Sequence, residues 1–252
     1  MSQRALLVLD RVSKSFGGLA AVRHMDLAAE EGEVLGLIGP NGAGKTTLFN
    51  LIAGVYRPDR GQVFFRGQEI TPLGPPRRCK LGIARTFQLV RPFQHLTVRQ
   101  NVAVGRLYGR EPAPGRGQAD EEAMALLDLV GLADRPNALA SSLTLVDRKR
   151  LELARALATR PTLLLLDELL AGLNASEVLV AMDLIRRICA SGITIIMVEH
   201  LVKALFGVSD RVVVLSAGEK IAEGAPAQVA ADPRVVEAYL GYLANGKGGA
   251  TR

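Results

Sequence analysis

The chain has 252 residues, 48% of them apolar, and a formal net charge of +6 at pH 7. This length suits one domain or two closely joined subdomains with a sizeable core. No apolar run of about 18 residues is present, which excludes a membrane-spanning helix, and two distant cysteines exclude a disulfide framework. The N-terminal stretch ALLVL is too short for a signal peptide, so a cytoplasmic protein is expected. The charge suits an anionic partner such as a nucleotide, a nucleic acid or a membrane surface.

The first part of the chain, residues 1–85, is predicted to form antiparallel strands around a glycine-rich loop. The apolar stretch Val34–Ile38 predicts a buried strand, and residues 47–53 predict a helix. Between them stands the pattern G-x-x-x-x-G-K-T, which begins at Gly39. A strand before this pattern and a helix after it are the context of a phosphate-binding loop. A chance glycine-rich turn is the weaker alternative.

The residue types of this loop explain its chemistry. Glycines let backbone N–H groups turn inward around a polyphosphate, and the following helix N-terminus adds partial positive charge. Lys45 is expected to reach the β- and γ-phosphates of a nucleotide, and the Thr46 hydroxyl to ligate Mg²⁺. The predicted nucleotide-binding residues of the loop are Gly39, Pro40, Asn41, Gly42, Ala43, Gly44, Lys45, Thr46 and Thr47.

The middle of the chain, residues 89–160, has helical patterning. A helix is expected from residue 119, with acids in its first turn and Gly131 after its end, preceded by a Pro/Gly-rich connector. The pattern Thr144-x-x-Asp147 predicts a capping box that opens a helix through Ala158.

From residue 161 onward, strands and helices alternate, which predicts a parallel sheet. The leucine-rich strand TLLLLDE ends in Asp167 and Glu168. Beside a phosphate-binding loop, the first acid is predicted to hold Mg²⁺, and the second to orient or deprotonate the attacking water. The alternative is that both acids cap the helix that follows, since carboxylates suit a helix N-terminus.

The segments GPNGAGKTT, RTFQ and LLLLDE, in this order, resemble the nucleotide-binding subunit of an ABC transporter over nearly the whole chain. The resemblance implies that Phe16 stacks on adenine. It also implies that Gln88 is a catalytic residue and a metal-site residue, which senses Mg²⁺ and the membrane partner. It also implies that His200 contacts the γ-phosphate and that residues 171–174 face a second ATPase subunit. Without the resemblance, Phe16 would be assigned to the core.

The segments RTFQLVRPFQHLTVRQNVAVG and DPRVVEAYLG are similar to the branched-chain amino acid importer branch. One segment departs from the family, whose signature helix opens with Leu-Ser-Gly-Gly-Gln or a close variant. Here residues 143–147 read LTLVD. Thr144 keeps the hydroxyl that would contact the ATP of a partner subunit, whereas the carboxylate of Asp147 would repel phosphate unless it is turned away. Leu169 stands where the family usually has proline, and Asn174 where aspartate is usual.

The sequence therefore predicts an α/β ABC-ATPase core of the P-loop NTPase type, with a mixed sheet and flanking helices, an inserted helical subdomain and an N-terminal antiparallel β region. Within a single domain of residues 1–252, the core is expected at 1–88 and 161–240, the helical subdomain at 89–160 and a disordered tail at 244–252.

The predicted function is hydrolysis of ATP with Mg²⁺ to power an importer of branched-chain amino acids or related small solutes. Expected partners are a second ATPase subunit, in a heterodimer rather than a homodimer, transmembrane permeases and, indirectly, an external solute-binding protein. The expected location is the cytoplasmic face of the plasma membrane. Nucleic acid is not expected as a partner. Two alternatives stay open: a nucleic-acid-associated ABC ATPase, and a regulatory ATP-binding subunit with weak turnover.

Overall fold

A computed structural model describes residues 5–86 and 92–238. The strands are β1 (Ala5–Phe16), β2 (Leu19–Glu30), β3 (Val34–Ile38), β4 (Arg60–Phe65), β5 (Gln68–Glu69), β6 (Ile83–Arg85), β7 (Leu163–Asp167), β8 (Thr194–Val198), β9 (Arg211–Ser216) and β10 (Glu219–Gly224). The α-helices are α1 (Lys45–Ala53), α2 (Pro75–Leu81), α3 (Val98–Tyr108), α4 (Arg116–Leu129), α5 (Leu145–Ala158), α6 (Ala175–Ala190), α7 (Val202–Val208) and α8 (Pro226–Ala231). A short 3₁₀ helix spans Ala140–Ser142.

The described residues form two compact units. The first contains residues 5–72 and 196–238, and the second contains residues 73–195 apart from the gap at 87–91. The division falls within the residue range of β8, between residues 195 and 196. The subdomain bounds expected at 88 and 161 remain predictions, and the tail expected to be disordered lies outside the described residues. No helix in the described part of the chain is long and apolar enough to span a bilayer.

The first unit contains the predicted antiparallel β region, a four-stranded sheet in the order β2-β1-β4-β5. It also contains a mixed arrangement, because β3 pairs in parallel with β9 while β10 pairs antiparallel with β9. The mixed sheet expected from the sequence is therefore confirmed. The parallel sheet expected after residue 161 does not extend to β10, which pairs antiparallel with β9 because Ala217 and Gly218, at φ +48° and +85°, form a tight hairpin turn between them.

The second unit packs helices α3, α4 and α5 together and pairs β6 in parallel with β7. Every residue of β7 is buried, as a continuous apolar strand in a parallel sheet should be. Helix α4 begins at Arg116 rather than at residue 119, so its acids do not lie in its first turn. One of them, Glu122, accepts instead from the buried guanidinium of Arg106. Gly131, at φ +73°, follows the helix end as expected.

Candidate active site

The phosphate-binding loop follows β3 in the first unit, and its glycines have backbone angles that side chains rarely allow. Gly39, Gly42 and Gly44 have φ of +155°, +80° and +101°. A Cβ atom on Gly39 would lie 2.2 Å from the Leu215 carbonyl oxygen. One on Gly44 would lie 2.4 Å from the Ala21 carbonyl oxygen. The loop thus needs glycine for both conformation and space at two positions, and for conformation alone at Gly42.

Helix α1 begins at Lys45 directly after this loop, two residues earlier than predicted. Its N-cap, Gly44, supplies no side-chain bond, and its first turn contains no acid. The N-terminal N–H groups of a helix need acceptors and carry partial positive charge, so this end suits an anion. The Lys45 ammonium donates to the carbonyls of Gly39 and Pro40 at 2.6 and 3.0 Å. It therefore lies across the loop as a buried cation.

The other loop residues differ in what they present. Asn41 and Thr46 are exposed, so their side chains are accessible to a nucleotide and a metal ion. Pro40 and Thr47 are half-buried. Ala43 is 2% exposed and its carbonyl accepts from the Gly218 N–H at 3.1 Å, so its side chain belongs to the core. The Ala43 backbone N–H donates to the Pro40 carbonyl at 3.1 Å, so in this structure neither its side chain nor its N–H faces an anion.

Two further predicted residues lie in the first unit. Phe16 ends β1 with 43% of its surface exposed, so it is not a core residue. Its ring meets the Tyr56 ring edge-on at a centroid distance of 5.2 Å, and the Lys14 ammonium lies 5.6 Å from its centroid. An exposed ring held in this way is suited to stack on a base. His200 is also exposed, two residues after the end of β8.

The two predicted acids lie in the second unit, at the end of β7. Asp167 is 5% exposed, and its carboxylate accepts from the Arg85 guanidinium at 2.8 Å. Its backbone N–H donates to the Thr86 hydroxyl at 3.2 Å. Glu168 follows with φ +51°, in the left-handed region that a residue with a side chain seldom occupies. The two consecutive acids therefore differ in their surroundings, because the Asp167 carboxylate is buried against a cation and Glu168 is half-exposed.

These acids do not cap the following helix, so that alternative is wrong. Helix α6 begins at Ala175, and its N-cap is Asn174. The Asn174 side chain accepts from the Glu177 N–H at 3.0 Å, and the Glu177 carboxylate accepts from the Asn174 N–H at 2.8 Å. The replacement of the family's usual aspartate by Asn174 keeps a good N-cap.

The atypical signature segment forms the start of α5, as expected. Thr144 is the N-cap, and its hydroxyl accepts from the Asp147 N–H at 3.2 Å. The Asp147 carboxylate does not bond to the Thr144 N–H, as a complete capping box would require. It accepts from the Thr144 hydroxyl at 2.9 Å and from Arg135 at 3.0 Å, and Arg150 lies 3.7 Å away. The carboxylate is therefore turned to cations, which lessens its repulsion of a phosphate.

Three basic residues around these segments escaped the sequence analysis: Arg85 beside Asp167, Arg135 beside Asp147, and Lys149. The Lys149 ammonium donates to the carbonyls of Glu168, Leu169 and Ala171 at 2.9, 3.3 and 2.6 Å. Only Arg85 had a local signal, because it ends a short strand just before the predicted Gln88. Gln88 itself lies outside the described residues.

The predicted metal residues fit magnesium by their chemistry. In residues 5–86 and 92–238, no group of three or more His, Cys, Asp or Glu side chains could hold a metal ion by itself. Thr46 and Asp167 supply hydroxyl and carboxylate oxygens, the donors that Mg²⁺ prefers. Mg²⁺ also keeps several waters and binds substrate phosphates, so it needs few protein ligands.

Two family models match the chain. The one described as "ABC transporter" matches residues 22–171, and the one described as "Branched-chain amino acid ATP-binding cassette transporter" matches residues 219–242. The chain is 39% identical to the High-affinity branched-chain amino acid transport ATP-binding protein LivG of Escherichia coli (strain K12), over 96% of this chain and 99% of that protein. It is 37% identical to BraF of Pseudomonas aeruginosa, a protein with the same description, over 94% and 98%.

A solved structure has a similar fold. The ADP conformation of MJ1267, an ATP-binding cassette of an ABC transporter, superposes with a TM-score of 0.86 at 30% identity. The match covers 94% of this chain and 99% of that one. The α/β architecture expected from the sequence is thereby confirmed.

Proposed function

This chain belongs to the ABC transporter family as an ATP-binding subunit that hydrolyses ATP, and we propose that it powers import of branched-chain amino acids. The observation that carries this proposal is the similarity to LivG, which extends over 99% of that protein at 39% identity. The match of residues 219–242 to the branched-chain model supports the same branch at a second place in the chain. The alternative substrates within the same branch are related small amide solutes.

The phosphate-binding loop has the features that ATP requires. We assign the β- and γ-phosphates to the Lys45 ammonium and to the loop's backbone N–H groups, since both direct positive charge to one small region. The loop residues that contribute no N–H are Pro40, which has none, and Ala43, whose N–H donates to the Pro40 carbonyl. Phe16 is assigned to the adenine, because its ring is exposed and held by Tyr56. His200 is assigned to the γ-phosphate.

Hydrolysis requires a carboxylate that acts on water. Glu168 is assigned this role as general base, because it is half-exposed at the end of a buried strand and its turn separates it from the paired Asp167. Thr46, Asp167 and Gln88 are assigned to Mg²⁺, which when bound neutralises charge on the transferred phosphoryl group. The Lys45 cation and the helix N-terminus stabilise the same charge from the protein.

The proposed assembly is a heterodimer with a second ABC ATPase. In it, Thr144 of this chain would contact the ATP that is bound to the phosphate loop of the partner. The glycines of the usual signature are replaced by Leu145, which is 62% exposed, and Val146. Branched side chains limit the approach of the backbone to phosphate. Such a signature is better tolerated at one of two sites than at both. The stronger site would be built on Lys45 and Glu168 of this chain.

Transport further requires permeases, an external solute-binding protein and a position on the cytoplasmic face of the membrane. A candidate surface for the permease is centred on Phe93, which is 47% exposed. The Arg155 guanidinium lies 4.8 Å from its ring centroid, and the Asn101 side chain bonds both the N–H and the carbonyl of Phe93. A rigidly held exposed ring beside a cation suits a short permease helix with an apolar anchor.

The test of the substrate is uptake by the complete complex in proteoliposomes. Labelled leucine, isoleucine and valine should accumulate in the lumen of liposomes that contain ATP and whose ATPase subunits face the lumen. An acidic or basic amino acid should serve as the matched negative substrate. Hydrolysis that is stimulated by a different solute class would redirect the proposal to that class, and export of solute would overturn import.

The test of the heterodimer is to disable each ATPase subunit separately. Glu168→Gln in this chain should reduce turnover far more than the matching change in the partner, because the partner's acid serves the site with the altered signature. Equal losses would contradict the asymmetry. A normal rate from a homodimer of this chain would contradict the heterodimer itself.

A further inference from the structure

We propose that Lys149 is a positioning residue for Glu168. Lys149 attaches the turn that contains Glu168 to α5, the helix that begins with the signature segment. The proposal rests on the assignment of Glu168 as general base. It concerns three hydrogen bonds from one ammonium group to the backbone of residues 168–171. We call this set of contacts the lysine clamp.

The geometry of the lysine clamp uses the full donor capacity of its ammonium. Lys149 Nζ lies 2.9 Å from the carbonyl oxygen of Glu168, 3.3 Å from that of Leu169 and 2.6 Å from that of Ala171. An ammonium has three N–H donors, and here each has a carbonyl acceptor. Carbonyl dipoles that converge on one point repel one another, so a cation at that point holds together a turn that would otherwise open. Bonds from a charged donor are also stronger than neutral ones.

The turn held by the lysine clamp has an unfavourable backbone conformation. Glu168 adopts φ +51°, which L-residues avoid, and Leu169 stands where a proline would have restricted the backbone. The turn's own backbone bonds are long, at 3.4 Å from the Ala171 N–H to the Glu168 carbonyl and 3.2 Å from Leu173 to Leu170. On one side, Leu169 and Leu173 line a cavity of about 280 Å³, so packing there is incomplete.

The position of Lys149 in the chain gives the lysine clamp its functional meaning. Lys149 lies in α5, and Thr144, the N-cap of the same helix, begins the signature segment. A helix transmits displacement along its axis as a rigid element. A movement of the signature segment when it binds the partner's ATP would therefore displace the carbonyl of this chain's own Glu168. A shift of about 1 Å in a catalytic group reduces turnover by up to roughly 100-fold.

The test compares Lys149→Met, which keeps an unbranched side chain only one atom shorter but removes the ammonium donors, with Lys80→Met. Lys80 donates a single bond to the Gly109 carbonyl at 2.7 Å in the same unit, so it controls for loss of a lysine–carbonyl contact. In the assembled transporter, Lys149→Met should lower kcat by roughly 10–100-fold with the Kd for ATP changed less than about twofold. Lys80→Met should leave both constants near wild type. An unchanged kcat in Lys149→Met overturns the proposal.

A double-mutant cycle separates positioning from general damage. If Lys149 acts through Glu168, Lys149→Met should change the residual single-turnover rate of a Glu168→Gln variant by less than about twofold. Full additivity of the two losses overturns the proposal. Should Lys149→Met fail to fold, Lys149→Arg keeps the charge but presents a planar fork that cannot place three donors on three converging carbonyls. It should show a smaller loss confined to kcat, and a wild-type kcat in it overturns the proposal.

The hydrolysis rate of Glu168→Gln distinguishes a failure of the general-base assignment from a failure of the lysine clamp. Near-normal hydrolysis in Glu168→Gln would remove the assignment of the general base. A large loss in Glu168→Gln together with an unaffected Lys149→Met would remove the lysine clamp alone. Faster amide hydrogen exchange of residues 168–173 in Lys149→Met, with unchanged exchange in α3, is expected in the full chain.

Discussion

The Arg85 guanidinium donates to the Asp167 carboxylate at 2.8 Å, and the side chains are only 9% and 3% exposed. A buried ion pair is costly to break, because removal of one partner leaves the other as an uncompensated charge. Arg85→Ala should therefore lower the free energy of unfolding by about 3–5 kcal/mol. Urea unfolding of the purified chain measures this change.

The matched control for that prediction is the exposed pair of Arg11 and Asp10 at 3.1 Å. Arg11→Ala should cost less than about 1 kcal/mol, because surface pairs are screened by water and salt. A comparable loss in both variants would mean that burial of Asp167 does not govern the contribution of Arg85.

The assignment of Glu168 predicts a loss of turnover without a loss of binding. Glu168→Gln should reduce ATP hydrolysis by roughly 10²–10⁴-fold, the range for removal of a general base, while the Kd for ATP stays within a few-fold. Steady-state hydrolysis in the assembled complex and calorimetric titration with ATP measure the two quantities. Lys45→Ala is the complementary variant, because it should weaken ATP binding itself. Unchanged ATP affinity in Lys45→Ala would contradict the loop assignment.

The phosphate-binding loop should not tolerate a methyl group at Gly44. This residue has φ +101°, and an added Cβ would lie 2.4 Å from a backbone carbonyl oxygen of Ala21. Gly44→Ala should therefore abolish measurable ATP binding and lower the melting temperature. Gly192→Ala is the control for backbone strain, since Gly192 has φ +95° with no atom within 4 Å of an added Cβ. It should lower stability by about 1–2 kcal/mol and leave ATP affinity unchanged.

The altered signature should depend on Arg135. This residue lies 3.0 Å from the Asp147 carboxylate, and its replacement by glutamine would leave that negative charge less compensated. Arg135→Gln should lower turnover at the site completed by this signature by a few-fold, because the carboxylate would then repel phosphate more strongly. Asp147→Asn in the same chain should restore the rate. Persistence of the defect in the double variant would show that Arg135 acts by another route.

The ion pair of Arg106 and Glu122 predicts a dependence of stability on pH. The Arg106 guanidinium is the main cause that lowers the pKa of Glu122 from 4.5 to about 2. A carboxyl group with a depressed pKa contributes stability above its unfolded pKa, and this contribution is lost as pH falls through the folded value. The difference in unfolding free energy between wild type and Glu122→Gln should be largest above pH 4.5 and should shrink toward pH 2.

Chemical unfolding at a series of pH values checks this dependence. Glu121→Gln is the control, because it changes the neighbouring acid of α4 without touching the ion pair. If the Glu122→Gln difference stays constant from pH 7 to pH 2, the carboxylate does not contribute through its charge.

Local patterns were sufficient for the elements that carry the phosphate loop and the acids. The buried strand Val34–Ile38 has the predicted bounds, and the leucine run ends at Asp167 as expected. Thr144 caps α5 because its hydroxyl reaches an N–H three residues on, a contact that lies wholly within the motif. The sequence by itself therefore determined the fold class and the positions of the loop and the acids, since each depends on residues adjacent in the chain.

Tertiary structure alone decided what surrounds those residues. Arg85 meets Asp167 across 82 residues, and Lys149 meets Glu168 across 19. Arg135, in a separate loop, binds the Asp147 carboxylate. The effect of having Asp147 in place of the family's usual glutamine therefore could not be judged from residues 143–147 alone. No periodicity predicts such pairs, because a strand order and a helix packing must first bring distant side chains together. The left-handed backbone of Glu168 likewise follows from the contacts of its turn rather than from its residue type.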